Sequence, residues 1–136
     1  MYRILLVDDE ILVRDAIKEN IDWKSMDCQL VGDCENGKQA ADFVKSHPVD
    51  IVLTDILMPY MDGMALIRTA HALESTAEFV LVTAYEEFEV AREAIGLGVF
   101  DYLVKPITIE DVMRVLERLS TKLGGTQEHM AEMYLR

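Results

Sequence analysis

The sequence predicts an α/β domain of the doubly wound (βα)5 kind, with helices on both faces of a five-stranded parallel sheet. Three observations lead there. Five short apolar runs rich in β-branched residues alternate with five longer segments of helical period. The first, third and fourth runs are apolar throughout, as strands covered on both faces must be. Strict strand–helix alternation joins neighbouring strands by crossovers, which makes the sheet parallel.

Taken in order, Ile4–Val7 is the first strand, ended by Asp8, Asp9 and Glu10. Ile11–Asn20 follows as a helix with Leu12, Ala16 and Ile17 on one face. Leu30–Val31 marks a short second strand. Gly37–Ser46 groups Ala40, Ala41 and Val44, and His47-Pro48 stops that helix because a proline disfavours helical backbone in the residue before it. Ile51–Leu53 is the third strand, and Gly63–Leu73 carries Leu66, Ile67, Ala70 and Leu73 at helical spacing. Phe79–Val82 is the fourth strand. The next helix shows the stripe Phe88, Ala91, Ala94 and Ile95 and closes at Gly96-Leu97-Gly98. Val99–Val104 is the fifth strand. Thr108 is placed to cap a last helix through Leu123, with Ile109, Val112, Leu116, Leu119 and Leu123 on its apolar stripe. Gly124-Gly125 is expected to break that helix, so 1–123 reads as the domain and 124–136 as a linker or tail.

Composition narrows the function. The 136 residues are 51% hydrophobic and 28% charged, with net charge −12, a globular balance whose acidity repels nucleic-acid phosphates. No apolar run nears the roughly 20 residues a membrane span requires. Acids interrupt the first apolar stretch at Asp8, so no secretory leader is expected and a cytoplasmic location is. Cys28 and Cys34 on one extended strand would stand about 20 Å apart, too far for a bridge. His47, His71 and His129 lack zinc-ligand spacing.

Open parallel sheets bind ligands at the carboxyl ends of their strands. Asp8 and Asp9 end the first strand, Asp55 the third, Thr83 the fourth and Lys105 the fifth. Each has a bland use: an Asp pair caps a helix, Thr83 does the same, and Lys105 is a solvated loop lysine. Their meeting at one rim argues for a site. If the first and third strands are neighbours, Asp9 and Asp55 repel by about 3 kcal/mol at an effective dielectric near 20. A hard divalent cation relieves that repulsion, and an all-oxygen cluster suits Mg²⁺. With Lys105 alongside, the site has a carboxylate nucleophile, a metal clamp and an ammonium, the parts for phosphoryl transfer.

The motifs VDDE (7–10), TDILMPYMDG (54–63), VTAY (82–85) and FDYLVKP (100–106) occur in the order and spacing of a known family. Over residues 2 to 123 the chain resembles the receiver domain of two-component response regulators. The stretches IDWKSMDCQLVGDCENG (21–37) and YEEFEVAREAIGLGVFDYLVKPI (85–107) resemble regulators with an AraC-type DNA-binding domain.

The resemblance implies a flavodoxin-like sheet of order 2-1-3-4-5 and a switch, not an enzyme with substrate turnover. It catalyses its own phosphorylation and slow dephosphorylation. Asp55 is the implied phosphoacceptor, supplied by a phosphohistidine on a sensor histidine kinase. Asp9 and Asp55 bind Mg²⁺ directly, Asp8 through water, and the Leu57 carbonyl completes the set. Lys105 contacts the phosphoryl oxygens, and its bond to Pro106 is expected to be cis. Thr83 and Tyr102 form the switch: Thr83 moves to the phosphoryl group and Tyr102 turns into the space vacated. Pro59 and Gly63 shape the loop. Leu57 and Tyr85 stand where water-handling groups could sit, which favours a long-lived phosphoryl group.

Other classes fit less well. No G-x-G-x-x-G follows the first strand, as a dinucleotide enzyme would need. An aspartate-nucleophile phosphatase of the haloacid dehalogenase type wants a second carboxylate where Leu57 stands. A stand-alone receiver acting through protein contacts is an alternative to a receiver driving an output domain that alone reaches DNA. The surface of the fourth helix, fifth strand and fifth helix is a candidate homodimer face, and no membrane partner is expected.

Overall fold

The computed structural model describes residues 1–84 and 88–135, with backbone only for Phe88 and 125–135. Its elements run β1 (Tyr2–Val7), α1 (Ile11–Asn20), a 3₁₀ turn (Lys24–Met26), β2 (Cys28–Cys34), α2 (Gly37–Ser46), β3 (Ile51–Asp55), α3 (Gly63–Ala72), β4 (Glu78–Thr83), α4 (Phe88–Gly96), β5 (Asp101–Val104) and α5 (Ile109–Leu135). The five strands are parallel in the order β2-β1-β3-β4-β5. This is the flavodoxin-like order, whose switch point lies between β1 and β3.

The two-residue period of a strand sorts the core into two layers. Leu5, Val7, Val52, Phe79 and Leu81 pack with Ala40 and Ala41 of α2, Leu66, Ile67 and Ala70 of α3, and Ala91 and Ala94 of α4. Ile4, Leu6, Ile51, Leu53, Val80 and Val82 point the other way, against Ile17 of α1 and Val112, Val115, Leu116 and Leu119 of α5. Past Arg3 and Glu78 the central strands are therefore apolar at every position until Thr54, Asp55 and Thr83 near the rim.

Helix ends follow their local signals. Asn36 caps α2 by accepting from the Gln39 N–H at 2.9 Å, and Asp62 caps α3 by accepting from the Ala65 N–H at 2.8 Å. α2 stops at Ser46, with His47 already extended before Pro48. Gly98 leaves α4 at φ 88°, a left-handed backbone that suits glycine.

Two elements differ from expectation by more than two residues at an end. β2 spans Cys28–Cys34, well beyond Leu30–Val31, because an edge strand half open to water carries polar residues such as Gln29 and Asp33 and so shows no continuous apolar run. α5 does not break at Gly124-Gly125; its backbone is helical to Leu135. Each glycine costs only about 1 kcal/mol relative to alanine in a helix, and the good helix formers Gln127, Glu128, Met130, Ala131, Glu132 and Met133 follow. Cys28 and Cys34 are buried and free at opposite ends of β2, as their spacing implies. Among the described residues no helix is long and apolar enough to cross a membrane.

Candidate functional site at the carboxyl rim of the sheet

The β1–α1 turn supplies the first part of the site. The Asp8 N–H donates to the Cys34 carbonyl at 3.1 Å, carrying the β1–β2 ladder one residue past the strand. Asp8 Oδ1 accepts from the Glu10 N–H at 2.8 Å, which folds the turn back on itself. Glu10 is the N-cap of α1, and no side chain caps that helix. The carboxylates of the turn are thus not consumed in capping. Oxygens of Asp8, Asp9 and Glu10 all lie within 4.8 Å of one another. Asp8 is buried, whereas Asp9 and Glu10 are exposed.

Asp55 ends β3 with only 4% of its surface exposed. Its Oδ1 accepts from the Ile56 N–H at 2.8 Å, and its Oδ2 accepts from Lys105 Nζ at 2.9 Å. Lys105 arrives on the neighbouring side of the sheet because its N–H donates to the Thr83 carbonyl at 2.7 Å, extending the β4–β5 ladder. The Lys105–Pro106 bond is cis, as expected. Thr83 is buried at the end of β4, where its hydroxyl donates to the Ala84 carbonyl at 3.0 Å.

Charge explains the titration of these groups. Burial pushes the Asp8 carboxyl up to about 6; the Glu10 N–H bond opposes this, and the charge of Asp55 adds to it. Burial works against the Lys105 ammonium, but its bond to Asp55 and the charges of Asp55, Asp8 and Glu10 outweigh that and raise it. A buried carboxyl whose ionisation is disfavoured beside two further acids is a site short of positive charge. The all-oxygen donor set of Asp8, Asp9 and Glu10, with the charge of Asp55 near enough to act on Asp8, fits a hard divalent cation such as Mg²⁺.

The loop after Asp55 is clamped. A Cβ on Gly63 would lie 2.6 Å from the Asp55 carbonyl, and one on Gly37 would lie 2.2 Å from the Met61 carbonyl. Between these contacts Leu57, Pro59 and Tyr60 are exposed, and Tyr60 takes a φ of 67°.

The structure thus gathers Asp8, Asp9, Asp55, Thr83 and Lys105 at one rim, with Leu57 and Pro59 on the adjoining loop and Pro106 exposed beside Lys105. Tyr102 sits lower. It pairs with Leu81 in the β4–β5 ladder and packs, half-buried, against the α2–α3–α4 layer. Tyr85 lies outside the described residues. Two contributors were not singled out from sequence. Glu10 joins the acidic turn, with Oε1 3.6 Å from Lys105 Nζ; the third acid in VDDE was its signal. Arg14 is 9% exposed and donates from Nη1 to the Asp8 carbonyl at 2.6 Å. Its signal was a cation three residues before the buried Ile17 on the same helix face.

Fold and rim together define an α/β domain that concentrates its charged chemistry at the switch point of a parallel sheet. The chain belongs to the response regulator receiver domain family, whose profile matches residues 4–117. It is 36% identical over 129 residues to YesN of Bacillus subtilis, an uncharacterised transcriptional regulatory protein, covering 95% of this chain and 35% of that protein. It is 36% identical over 117 residues to the regulatory protein AtoC of Escherichia coli, covering 85% of this chain and 24% of that one. It therefore spans well under half the length of either relative. The receiver domain of AraT, a response regulator from Geobacillus stearothermophilus, superposes with a TM-score of 0.85 at 35% identity, covering 93% of this chain and 98% of that one. A two-component transcriptional regulator AraC from Clostridium phytofermentans gives 0.84 at 31% identity, with the same coverage. These similarities place the chain with the receivers of AraC-like regulators.

Proposed function

We propose that this chain is a phosphorylation-dependent switch in which Asp55 accepts a phosphoryl group from a phosphohistidine on a sensor histidine kinase. The observation that carries this is the buried Asp55 carboxylate, bonded at one oxygen by Lys105 and facing an acidic turn short of positive charge. Asp55 Oδ attacks phosphorus, the O–P bond forms as the N–P bond breaks, and the electron pair leaves with the imidazole nitrogen, which is then protonated. Lys105, already at 2.9 Å from Asp55, is placed to follow the developing charge onto the phosphoryl oxygens. Asp8, Asp9 and Asp55 with the Leu57 carbonyl would hold Mg²⁺. When bound, the metal neutralises phosphoryl oxygens and aligns them for in-line transfer.

Phosphorylation adds about 1.5 to 2 negative charges at the rim. Thr83 then exchanges its bond to the Ala84 carbonyl for one to the phosphoryl group, and Tyr102 follows inward. The change spreads over α4, β5 and α5. Ile95 and Val104 are exposed on these elements, apolar positions that a homodimer could cover. The output is an AraC-type DNA-binding domain in a longer protein, which fits a chain spanning 35% of YesN. An acidic receiver needs such a separate module to reach DNA.

The test is incubation with acetyl phosphate and Mg²⁺, followed by intact-mass measurement of wild type and Asp55→Ala. Wild type gains one phosphoryl group and the variant none. Equal labelling of both proteins removes Asp55 from the role.

A further inference from the structure

The geometry points to Arg14 as a positioning residue that presets the acidic turn for its divalent cation, with Asp33 as the counter-charge that keeps Arg14 from repelling that cation. The inference rests on the cation site of the proposed function and goes beyond its ligands. Arg14 lies on the buried face of α1, one turn before Ile17, and is itself nine-tenths buried. Its Nη1 donates to the main-chain carbonyl of Asp8 at 2.6 Å, while its Nε donates to Asp33 Oδ2 at 3.3 Å. Lys18 Nζ, one turn further along α1, meets the same Asp33 oxygen at 3.4 Å.

Asp8 is consequently held at three points. Its N–H is fixed to β2 through Cys34, its carboxylate to the Glu10 N–H, and its carbonyl to Arg14. Only the last of these is a side chain that can be exchanged without altering the strand pairing or the turn. The planar fork of a guanidinium reaches the Asp8 carbonyl and Asp33 together, whereas a lysine ammonium is a single point on a flexible stem. Asp33 is the penultimate residue of β2, next to Cys34, so the fork ties the edge strand, α1 and the acidic turn into one rigid frame. A buried guanidinium next to a cation site would weaken cation binding by repulsion. Asp33, 31% exposed at its side chain, supplies the opposite charge on the far side of the fork.

The experiment is calorimetric titration of this chain with MgCl₂, without phosphodonor, for wild type, Arg14→Met, Arg14→Lys, Asp33→Asn and Val115→Ala. Groups that orient metal ligands typically contribute 10- to 100-fold in affinity, so Arg14→Met is expected to bind Mg²⁺ roughly tenfold more weakly or worse. Arg14→Lys keeps the charge but does not restore wild-type affinity, and Asp33→Asn weakens binding as well. Val115→Ala, a buried change in α5 away from the rim, lowers the melting temperature but leaves affinity unchanged.

Wild-type affinity in Arg14→Lys, or in a folded Arg14→Met, overturns the inference. So does an equal affinity loss in Val115→Ala, which would reduce the effect to stability. If Arg14→Met does not fold, Arg14→Lys and Asp33→Asn decide. A wild type that binds Mg²⁺ but takes no phosphoryl group refutes the role of Asp55 and leaves Arg14 to be judged on the binding isotherms. A wild type that binds no Mg²⁺ overturns both.

Discussion

Leu57 follows Asp55 by two positions and leaves 55% of its surface in water. In the proposed switch its methyl groups could neither donate to nor accept from a water attacking phosphorus, so hydrolysis of an Asp55 phosphate would proceed without help from this side of the loop. An asparagine there would add one hydrogen bond to that water. At about 1 kcal/mol such a bond is worth roughly a fivefold rate increase. Leu57→Asn is therefore expected to lose its phosphoryl group several times faster than wild type, followed by intact mass after removal of the donor. An unchanged or slower loss would show that Leu57 does not set the lifetime. At this scale the polar residues of the site were readable because each stands where an apolar run stops. Arg14 and Glu10 were harder to see. One lies inside a helical stripe and acts through main chain, and the other acts through a lysine that is distant in sequence.

α5 begins at a reciprocal cap. The Asp111 N–H donates to Thr108 Oγ1 at 3.1 Å, and the Thr108 N–H donates to Asp111 Oδ2 at 3.0 Å. The cap follows directly on the segment 105–107, so it anchors the start of α5 beside Lys105. Thr108→Ala is expected to cost about 1 kcal/mol in urea unfolding, with metal affinity unaltered. A stability equal to wild type would mean that α5 is held by its packed face alone. α1 and α2 have the bounds their sequence predicts, Ile11–Asn20 and Gly37–Ser46, because acids, an asparagine cap and a proline mark the ends. β2 and the far end of α5 do not. Edge strands carry no continuous apolar run, and glycine weakens a helix without forbidding it.

For the molecule as a whole, Asp8 links folding to pH. Its folded pKa of about 6 lies above its ordinary 3.8, so the native state binds its proton more tightly than the unfolded chain does. Its favourable contribution is complete below about pH 4 and is lost as pH rises through about pH 6. The shift of about two units corresponds to about 3 kcal/mol. In EDTA the stability of wild type relative to Asp8→Asn should fall by about that much between these limits. Added Mg²⁺ should then raise the wild-type melting temperature more at pH 7 than at pH 5, since only the ionised carboxylate attracts it. Urea unfolding at stepped pH measures the first effect and thermal scans the second. A pH-independent difference between the two proteins would discount Asp8.

The paired glycines behind the acceptor loop divide it into a part that must keep its shape and a part free to vary. Gly63 and Gly37 leave no room for even a methyl group against the Asp55 and Met61 carbonyls, whereas Leu57, Pro59 and Tyr60 face water. In the proposed switch, substitutions at those outer positions would reset how long a signal persists without disturbing how the domain folds. On that proposal duration and architecture are separately adjustable, so descendants of one sequence could come to serve fast and slow responses.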